Sequence, residues 1–336
     1  MYSPKPSKLK TLEIPNFPNS LTTLQEISSA MADESETRNW LKLPRDVTAE
    51  IISRVGIIGI LDSVQKVCTL WRDICNDPSM WRSVDFHDVG HLWCDVRQKM
   101  CMRAVDLSKG DLDYINIEDF GTDDILAYIA ERSSRLRRLR LVSCSDISDE
   151  GLREAISKLS LLEELEISYC YFSPASLAVV GSCCPHLKSF KFNNQDYQGF
   201  NIRNHCDKAA LAIAQTMREL RHLQLFGNKL SNFGLVAILD GCSHLESLDL
   251  RRCWNLTRQG DLEKRCVEQI KHLRGPNDST QDYEFYEAYH KFYSSDEDDL
   301  SGLSEADLMS GSGHDYDLGF SDGGDYPFPY FDDFWR

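Results

Sequence analysis

The sequence predicts an α/β protein, in which a small domain of three helices precedes a short curved solenoid with a parallel sheet inside and helices outside. Two observations support this. Between residues 39 and 86, apolar residues recur every three or four positions, which is the period of a helix. Further along, a motif with apolar residues at positions 0, 3 and 5 occurs in five copies, which start 26, 25, 33 and 25 residues apart.

The composition indicates a folded chain with an acidic end. The 336 residues are 42% hydrophobic and 27% charged, which fits one large or two modest domains. No run approaches 18 apolar residues and no secretory signal is visible, so we expect neither membrane insertion nor export. The twelve cysteines are then expected to be reduced thiols of a protein in the nucleus, the cytoplasm or both.

The negative charge is concentrated at the end of the chain. The formal net charge is −16, and residues 294–336 contribute twelve acidic residues against one arginine. Nucleic acid binding requires clustered lysine and arginine, so we expect no nucleic acid partner and no membrane partner. Residues 275–336 are predicted to be an acidic, aromatic and largely disordered tail.

Residues 1–38 are polar and aperiodic, and we predict a disordered extension there. Within it, Met31 resembles an ordinary start, so the first 30 residues are interpreted as the product of an upstream start codon.

Three short helices are predicted for residues 39–86. The first begins after Pro44, and Asp77 and Pro78 supply the cap and first turn of the third. The first helix carries Val47, Ile51, Ile52 and Val55, and the second carries Ile60, Leu61, Val64, Val67, Cys68 and Trp71. A domain of about 45 residues cannot bury all these side chains, so some must face a partner.

This segment resembles the F-box. Its sequence from Ile60 to Arg72 is similar to that of plant F-box/leucine-rich-repeat proteins of the Skp-interacting-partner type. The resemblance implies that it binds a Skp-family adaptor, which links it to a cullin and a RING protein in a ubiquitin ligase. Carried over by position, the adaptor-binding residues are Leu43, Pro44, Ile52, Leu61, Val64, Val67 and Trp71. The alternative is that any of these belongs to the core. Residues 55–59, with two glycines, depart from the usual pattern and are interpreted as a loop.

Five repeats can be recognised in the sequence of residues 87–274. They begin at Leu136, Leu162, Leu187, Leu220 and Leu245. Residues 102–107 are interpreted as a weaker copy, and residues 81–86 as a degenerate one. This pattern resembles the cysteine-containing leucine-rich repeat, in which position 8 (here Cys144, Cys170, Asn228 and Cys253) bonds the turning backbone. The segment after Asn255 is expected to cap the solenoid, as the F-box does at the other end.

The concave face is the first candidate target surface. Position 4 of the repeats places Arg140, Glu166 and Lys191 on neighbouring strands, where they can neutralise one another or bind a charged ligand. Arg138 and Glu164 at position 2 are expected to pair in the same way. His222 and Phe226 remain as exposed groups and are predicted to contact a target.

The 33-residue interval indicates an insertion over about 195–207, and residues 111–120 are interpreted as a shorter one. Loops on a rigid scaffold are common binding elements. Tyr197, Phe200 and Arg203 are therefore predicted to bind the target, the alternative being an idle surface loop.

No catalytic motif is visible, so the sequence predicts a non-enzyme without cofactor. His87, His91 and Cys94 have metal-ligand spacing, but their place at a domain junction favours structural roles, and no metal site is predicted. The resulting prediction is the substrate-recognition subunit of an SCF-type ubiquitin ligase. The alternative is a scaffold or transcription-associated protein that acts through its tail.

Overall fold

The computed structural model describes residues 42–87, 89–90, 92–194, 206–257 and 260–285. The chain divides into two compact units, Met1–Asp278 and Ser279–Arg336. The helices and strands below all lie in the first unit. None of the helices in the described ranges is long and apolar enough to cross a membrane.

The first and third predicted N-terminal helices begin where the sequence predicts, but the second begins earlier and is broken. They are α1 (Arg45–Ser53), α2 (Ile57–Asp62), a 3-10 turn (Val64–Lys66), α3 (Thr69–Cys75) and a second 3-10 turn (Pro78–Trp81). Cys68 is extended, with φ −161° and ψ 170°, and separates the two halves of the predicted second helix. Asp77 caps the last turn as predicted, because its carboxylate accepts from the Ser79 N–H.

The predicted loop over residues 55–59 is wrong, because α2 already begins at Ile57. Gly56 has φ +84°, a conformation that glycine adopts without strain. The turn between α1 and α2 therefore takes only a few residues, and Ile57 and Ile58 are half-buried.

In the part of the chain that the structure describes, eight parallel strands follow one another in chain order across a single sheet. They are β1 (Ser83–Asp85), β2 (Tyr114–Glu118), β3 (Arg138–Val142), β4 (Glu164–Ser168), β5 (Ser189–Asn193), β6 (His222–Gln224), β7 (Ser247–Asp249) and β8 (His272–Arg274). The connecting helices are α4 (Cys94–Ser108), α5 (Asp123–Arg132), α6 (Asp149–Lys158), α7 (Pro174–Cys183), α8 (Lys208–Thr216), α9 (Asn232–Gly241) and α10 (Asp261–Gln269). The predicted solenoid is confirmed, with an unclosed curved sheet inside and helices outside.

The first full repeat starts ten residues later than predicted. Residues 102–107 belong to helix α4, and the strand is β2, where Leu112, Ile115 and Ile117 occupy positions 0, 3 and 5. Residues 111–120 are thus a repeat and not an insertion. At the other end, α10 and β8 form one more coil, because Leu273 pairs in register with Leu248.

The position-8 side chains bond the backbone as predicted. The Cys253 thiol donates to the Leu225 carbonyl at 2.9 Å, and Cys144 and Cys170 contact carbonyls of the preceding strand. The Asn228 amide donates to the Phe192 carbonyl at 2.6 Å. Each contact crosses to the preceding coil, so these residues fix the stacking of the solenoid.

A second set of hydrogen bonds links successive coils at the N-terminal ends of their helices. Asp123 accepts from the N–H and hydroxyl of Ser148, the residue that caps helix α6. Asp207 does the same for Ser231 at the start of α9. A Cβ atom at Gly151 or Gly234 would collide with these aspartates, so glycine leaves room for the link.

Asp149 makes the equivalent link to the coil of α7, and its loss should weaken the fold. Its carboxylate accepts from the Ser173 N–H at 2.8 Å and the Ser176 hydroxyl at 2.6 Å. We expect Asp149→Ala to lower the free energy of unfolding by about 1–2 kcal/mol, because both donors lose their partner.

Denaturant unfolding checks this, with Glu150→Ala as the matched control. Glu150 is exposed and forms its ion pair with Arg153 of its own helix, so its loss should change stability by less than about 0.5 kcal/mol. Equal stability of the two variants would contradict the proposed link.

Candidate adaptor and target surfaces

The buried side chains of the N-terminal domain belong to the same continuous hydrophobic core as those of the solenoid. Ile52, Leu61, Val64 and Ile74 are buried, and the Trp81 indole N–H donates to the Cys75 carbonyl at 2.6 Å. Because helical spacing also places side chains outside this core, the domain keeps some apolar surface that its own residues leave uncovered.

Three valines form most of that exposed apolar surface. Val47 is 41% exposed, Val55 52% and Val67 60%. Pro44 is also exposed, and Leu43 and Trp71 are half-buried. The indole nitrogen of Trp71 is shielded from solvent and, within the described part of the chain, has no hydrogen-bond partner. The exposed aliphatic groups are available for contact with a partner.

The concave face of the sheet carries the predicted charge ladder. Arg140, Glu166 and Lys191 are in register on β3, β4 and β5. Glu166 forms an ion pair with Arg140, whose Nε lies 3.2 Å from Oε1, and accepts a hydrogen bond from Lys191 Nζ at 2.9 Å. Burial raises the pKa of Glu166, but the two cations overcome this effect and hold the pKa below its ordinary value.

A similar arrangement lies at the edge where the strands begin. Glu163 pairs with Arg137 and Lys188, both at 2.7 Å. A third carboxylate, Glu246, pairs with Arg221 at 2.9 Å and with Lys271 at 3.1 Å. In each case one carboxylate is shared by two cations from neighbouring coils.

Two grooves interrupt these surfaces. One, of about 600 Å³, crosses strands β5 to β8 on the concave face and includes His222. The other, of about 640 Å³, lies beyond the carboxyl ends of the strands and is lined by Tyr169, Tyr171 and Lys229, among others. Tyr171 is largely exposed there.

Family models and relatives agree with this geometry. An F-box-like model matches residues 40–87, and a leucine-rich-repeat model matches residues 241–260. The chain is 51% identical over 284 residues to F-box protein SKIP19 of Arabidopsis thaliana, covering 84% of this chain and 89% of the relative. It is 48% identical to putative F-box/LRR-repeat protein 23 of the same plant, covering 78% of this chain and 60% of the relative.

A third relative, putative F-box/LRR-repeat protein 9 of A. thaliana, is 47% identical and is covered over 94% of its length. The chain belongs to the F-box/leucine-rich-repeat family. Members of this family are typically non-catalytic substrate adaptors, and the resemblance seen in the sequence is confirmed.

The predicted adaptor residues of this F-box/LRR protein fall into two groups. Leu43, Pro44, Val67 and Trp71 are accessible at least in part. Ile52, Leu61 and Val64 are buried in the hydrophobic core, so their prediction as direct contacts is corrected, and they are core residues. Val47 and Val55, which we did not predict as contacts, are exposed in their place.

The predicted target residues separate in the same way. His222 is exposed in the concave groove. Phe226 is only 1% exposed, so its prediction as a surface contact is wrong. Strand β6 ends at Gln224, and the chain then turns Phe226 inward, where its N–H donates to Asn193 Oδ1 and the Arg251 guanidinium lies 5.8 Å from its ring.

Tyr197, Phe200 and Arg203 lie outside the described residues. Asn194 and Cys206, which flank this insertion, line the groove that contains Tyr171. The predicted pairing of Arg138 with Glu164 is also corrected, because Arg138 pairs with Asp113 at 3.0 Å. Tyr171 was not predicted, and its one distinguishing feature in the sequence is its place just after the position-8 cysteine Cys170.

Proposed function

We propose that this protein is the substrate-recognition subunit of an SCF-type ubiquitin ligase. The N-terminal domain binds a Skp-family adaptor and, through it, a cullin and a RING protein. The concave face of the repeats and the neighbouring loops bind a target protein. The observation that supports this most is that Val47, Val55 and Val67 are exposed on a domain that buries Ile52, Leu61 and Val64.

Such a receptor acts by proximity. Holding a target beside the ubiquitin-carrying enzyme raises the local concentration of its lysines, without any chemistry on this chain. The rigid sheet suits this role, because its register, its position-8 contacts and its aspartate links fix the distance between the adaptor surface and the target surface. We propose that it works in the nucleus, the cytoplasm or both.

Target turnover tests the proposal. Proteins that co-purify with the chain are identified, and their half-lives are measured in cells that express the wild type or a Leu43→Ala, Pro44→Ala double mutant. Both residues are accessible and lie at the start of α1, so we expect normal folding, intact target capture and lengthened half-lives.

A deletion of residues 294–336 serves as the second variant. If only this deletion changes the cellular output, while the double mutant behaves as wild type, the receptor function is contradicted and the tail becomes the active part. If captured proteins are stabilised by the double mutant alone, the receptor function is supported.

A further inference from the structure

An exposed valine lies where the chain changes direction between the 3-10 turn Val64–Lys66 and helix α3. Val67 keeps helical angles, with φ −69° and ψ −52°, whereas the next residue, Cys68, is extended. Val64 is 5% exposed and belongs to the core, while Val67 is 60% exposed. Val67 thus lies on the surface at the point where the helical path of the turn ends.

The 3-10 turn and α3 have separate series of backbone hydrogen bonds. The Val67 N–H donates to the Val64 carbonyl at 3.2 Å and closes the turn. The series of α3 includes the Arg72 N–H, which donates to the Cys68 carbonyl at 3.0 Å. Neither of these bonds crosses the break at Cys68, so a hydrogen bond that joins the two segments has to come from a side chain.

The Arg72 side chain makes such a bond. Its Nε donates to the Gln65 carbonyl at 3.1 Å, seven residues back along the chain. Gln65 is the middle residue of the 3-10 turn, two positions before Val67. The last carbonyls of a helical turn lack partners within it, and a basic side chain can satisfy them. Arg72 therefore closes the end of the turn that carries Val67.

The start of α3 gives Arg72 a rigid base. The neighbouring Trp71 and Leu70 are half-buried and pack against the hydrophobic core. Arg72 itself is exposed, and its bond to the carbonyl is charge-assisted, a type about twice as strong as a bond between neutral groups. A helix that is fixed by the core thereby restrains the turn beside it.

We infer that Arg72 is a positioning residue, which holds the 3-10 turn so that Val67 keeps a fixed place for contact with a Skp-family adaptor. The inference rests on the proposed function, in which Val67 belongs to the adaptor surface. A contact side chain that is held in advance loses less conformational freedom on binding, so the affinity increases. Arg72 acts through Val67 and is not itself a contact.

A double-mutant cycle on the full-length chain separates this role from a direct contact. Adaptor affinity is measured by titration calorimetry for the wild type, Arg72→Ala, Val67→Ala and the double variant. We expect Arg72→Ala to weaken binding about tenfold in the wild-type background, and less than about twofold when residue 67 is already alanine. Arg135→Ala is the matched control, because it removes an exposed, ion-paired arginine from the solenoid and should bind the adaptor as the wild type does.

Amide hydrogen exchange, measured by NMR on the same proteins, reports on the turn directly. In Arg72→Ala the Val67 amide should exchange at least about fivefold faster than in the wild type, because the turn has lost a restraint. The Asn76 amide donates to the Arg72 carbonyl at the other end of α3 and should exchange at the wild-type rate. A variant that only lowers the overall stability would accelerate both amides.

Three results would overturn the inference: equal losses of affinity in the two backgrounds, unchanged exchange of the Val67 amide, or equal acceleration of both amides. A wild type that captures the adaptor retains the receptor function in all three cases. A well-folded wild type that captures no adaptor contradicts the receptor function, and the positioning role that rests on it falls as well.

Discussion

Replacing Val67 by aspartate is expected to weaken binding of a Skp-family adaptor about 100-fold, because a carboxylate would be buried without a partner in an apolar interface. The fold should be unaffected. Val67 is 60% exposed and lies at the end of a 3-10 turn, outside the core of the N-terminal domain. We expect the free energy of unfolding to change by less than about 0.5 kcal/mol. Titration calorimetry with purified adaptor gives the affinity, and thermal unfolding gives the stability.

The chain offers a matched control in Val267. It is 64% exposed and lies on α10, in the last coil of the solenoid. Val267→Asp adds the same charge at the same exposure, so it should bind the adaptor as the wild type does. If both variants bind alike, the exposed valines of the N-terminal domain are not the adaptor surface.

Removing the carboxylate of Glu166 is expected to have the largest effect on stability. The Glu166 side chain is 9% exposed and that of Arg140 11%, so Glu166→Ala would remove a nearly buried carboxylate that Arg140 and Lys191 share. We expect a loss of about 3 kcal/mol or more in the free energy of unfolding. Glu163→Ala is the control, because Glu163 is also shared by an arginine and a lysine but is 28% exposed. Its loss should cost about 1 kcal/mol or less.

The pH dependence gives a second measurement on Glu166. Its pKa in the folded protein is below the ordinary 4.5, so the ionised form stabilises the fold above that pH. This stabilisation is lost as the pH falls through the lowered pKa. The difference in unfolding free energy between wild type and Glu166→Gln should therefore shrink from pH 6 to about pH 3. A difference that stays constant over this range would contradict the role of the ionised carboxylate.

The repeats were predictable because each position of the repeat motif has its own structural requirement. Leucines at positions 3 and 5 of each strand must point into the core, and position 8 must satisfy a turning backbone, so Leu139, Leu141 and Cys144 mark a coil without further information. The same pattern failed in residues 102–107. Helix α4 is buried on more than one face there, since Ala104, Val105 and Leu107 are all buried, and its apolar residues can therefore match the spacing of the repeat.

Burial was harder to predict than position. Ile52 and Val67 are both apolar and both fit a helical stripe, yet one is buried and the other exposed. Which side of a helix faces its own domain depends on the turns between helices, here the break at Cys68 that ended the predicted second helix. Phe226 illustrates the same limit, because its inward turn follows from where β6 ends and not from its place in the repeat.

The concave groove was missed for a related reason. From the sequence, the segment after Asn255 was interpreted as a cap of the solenoid. The structure shows that β8 in this segment pairs with β7 and brings Lys271, His272 and Arg274 to the sheet. Ile270 and Leu273 occupy positions 0 and 3, which is the signal that would have revealed this coil.

The most direct test of the receptor function is the stoichiometry of the wild-type chain with a Skp-family adaptor. The two proteins are co-expressed and analysed by size-exclusion chromatography with light scattering, and circular dichroism confirms that the chain is folded. We predict a stable one-to-one complex. A well-folded chain that elutes alone beside free adaptor would contradict the function proposed for this protein.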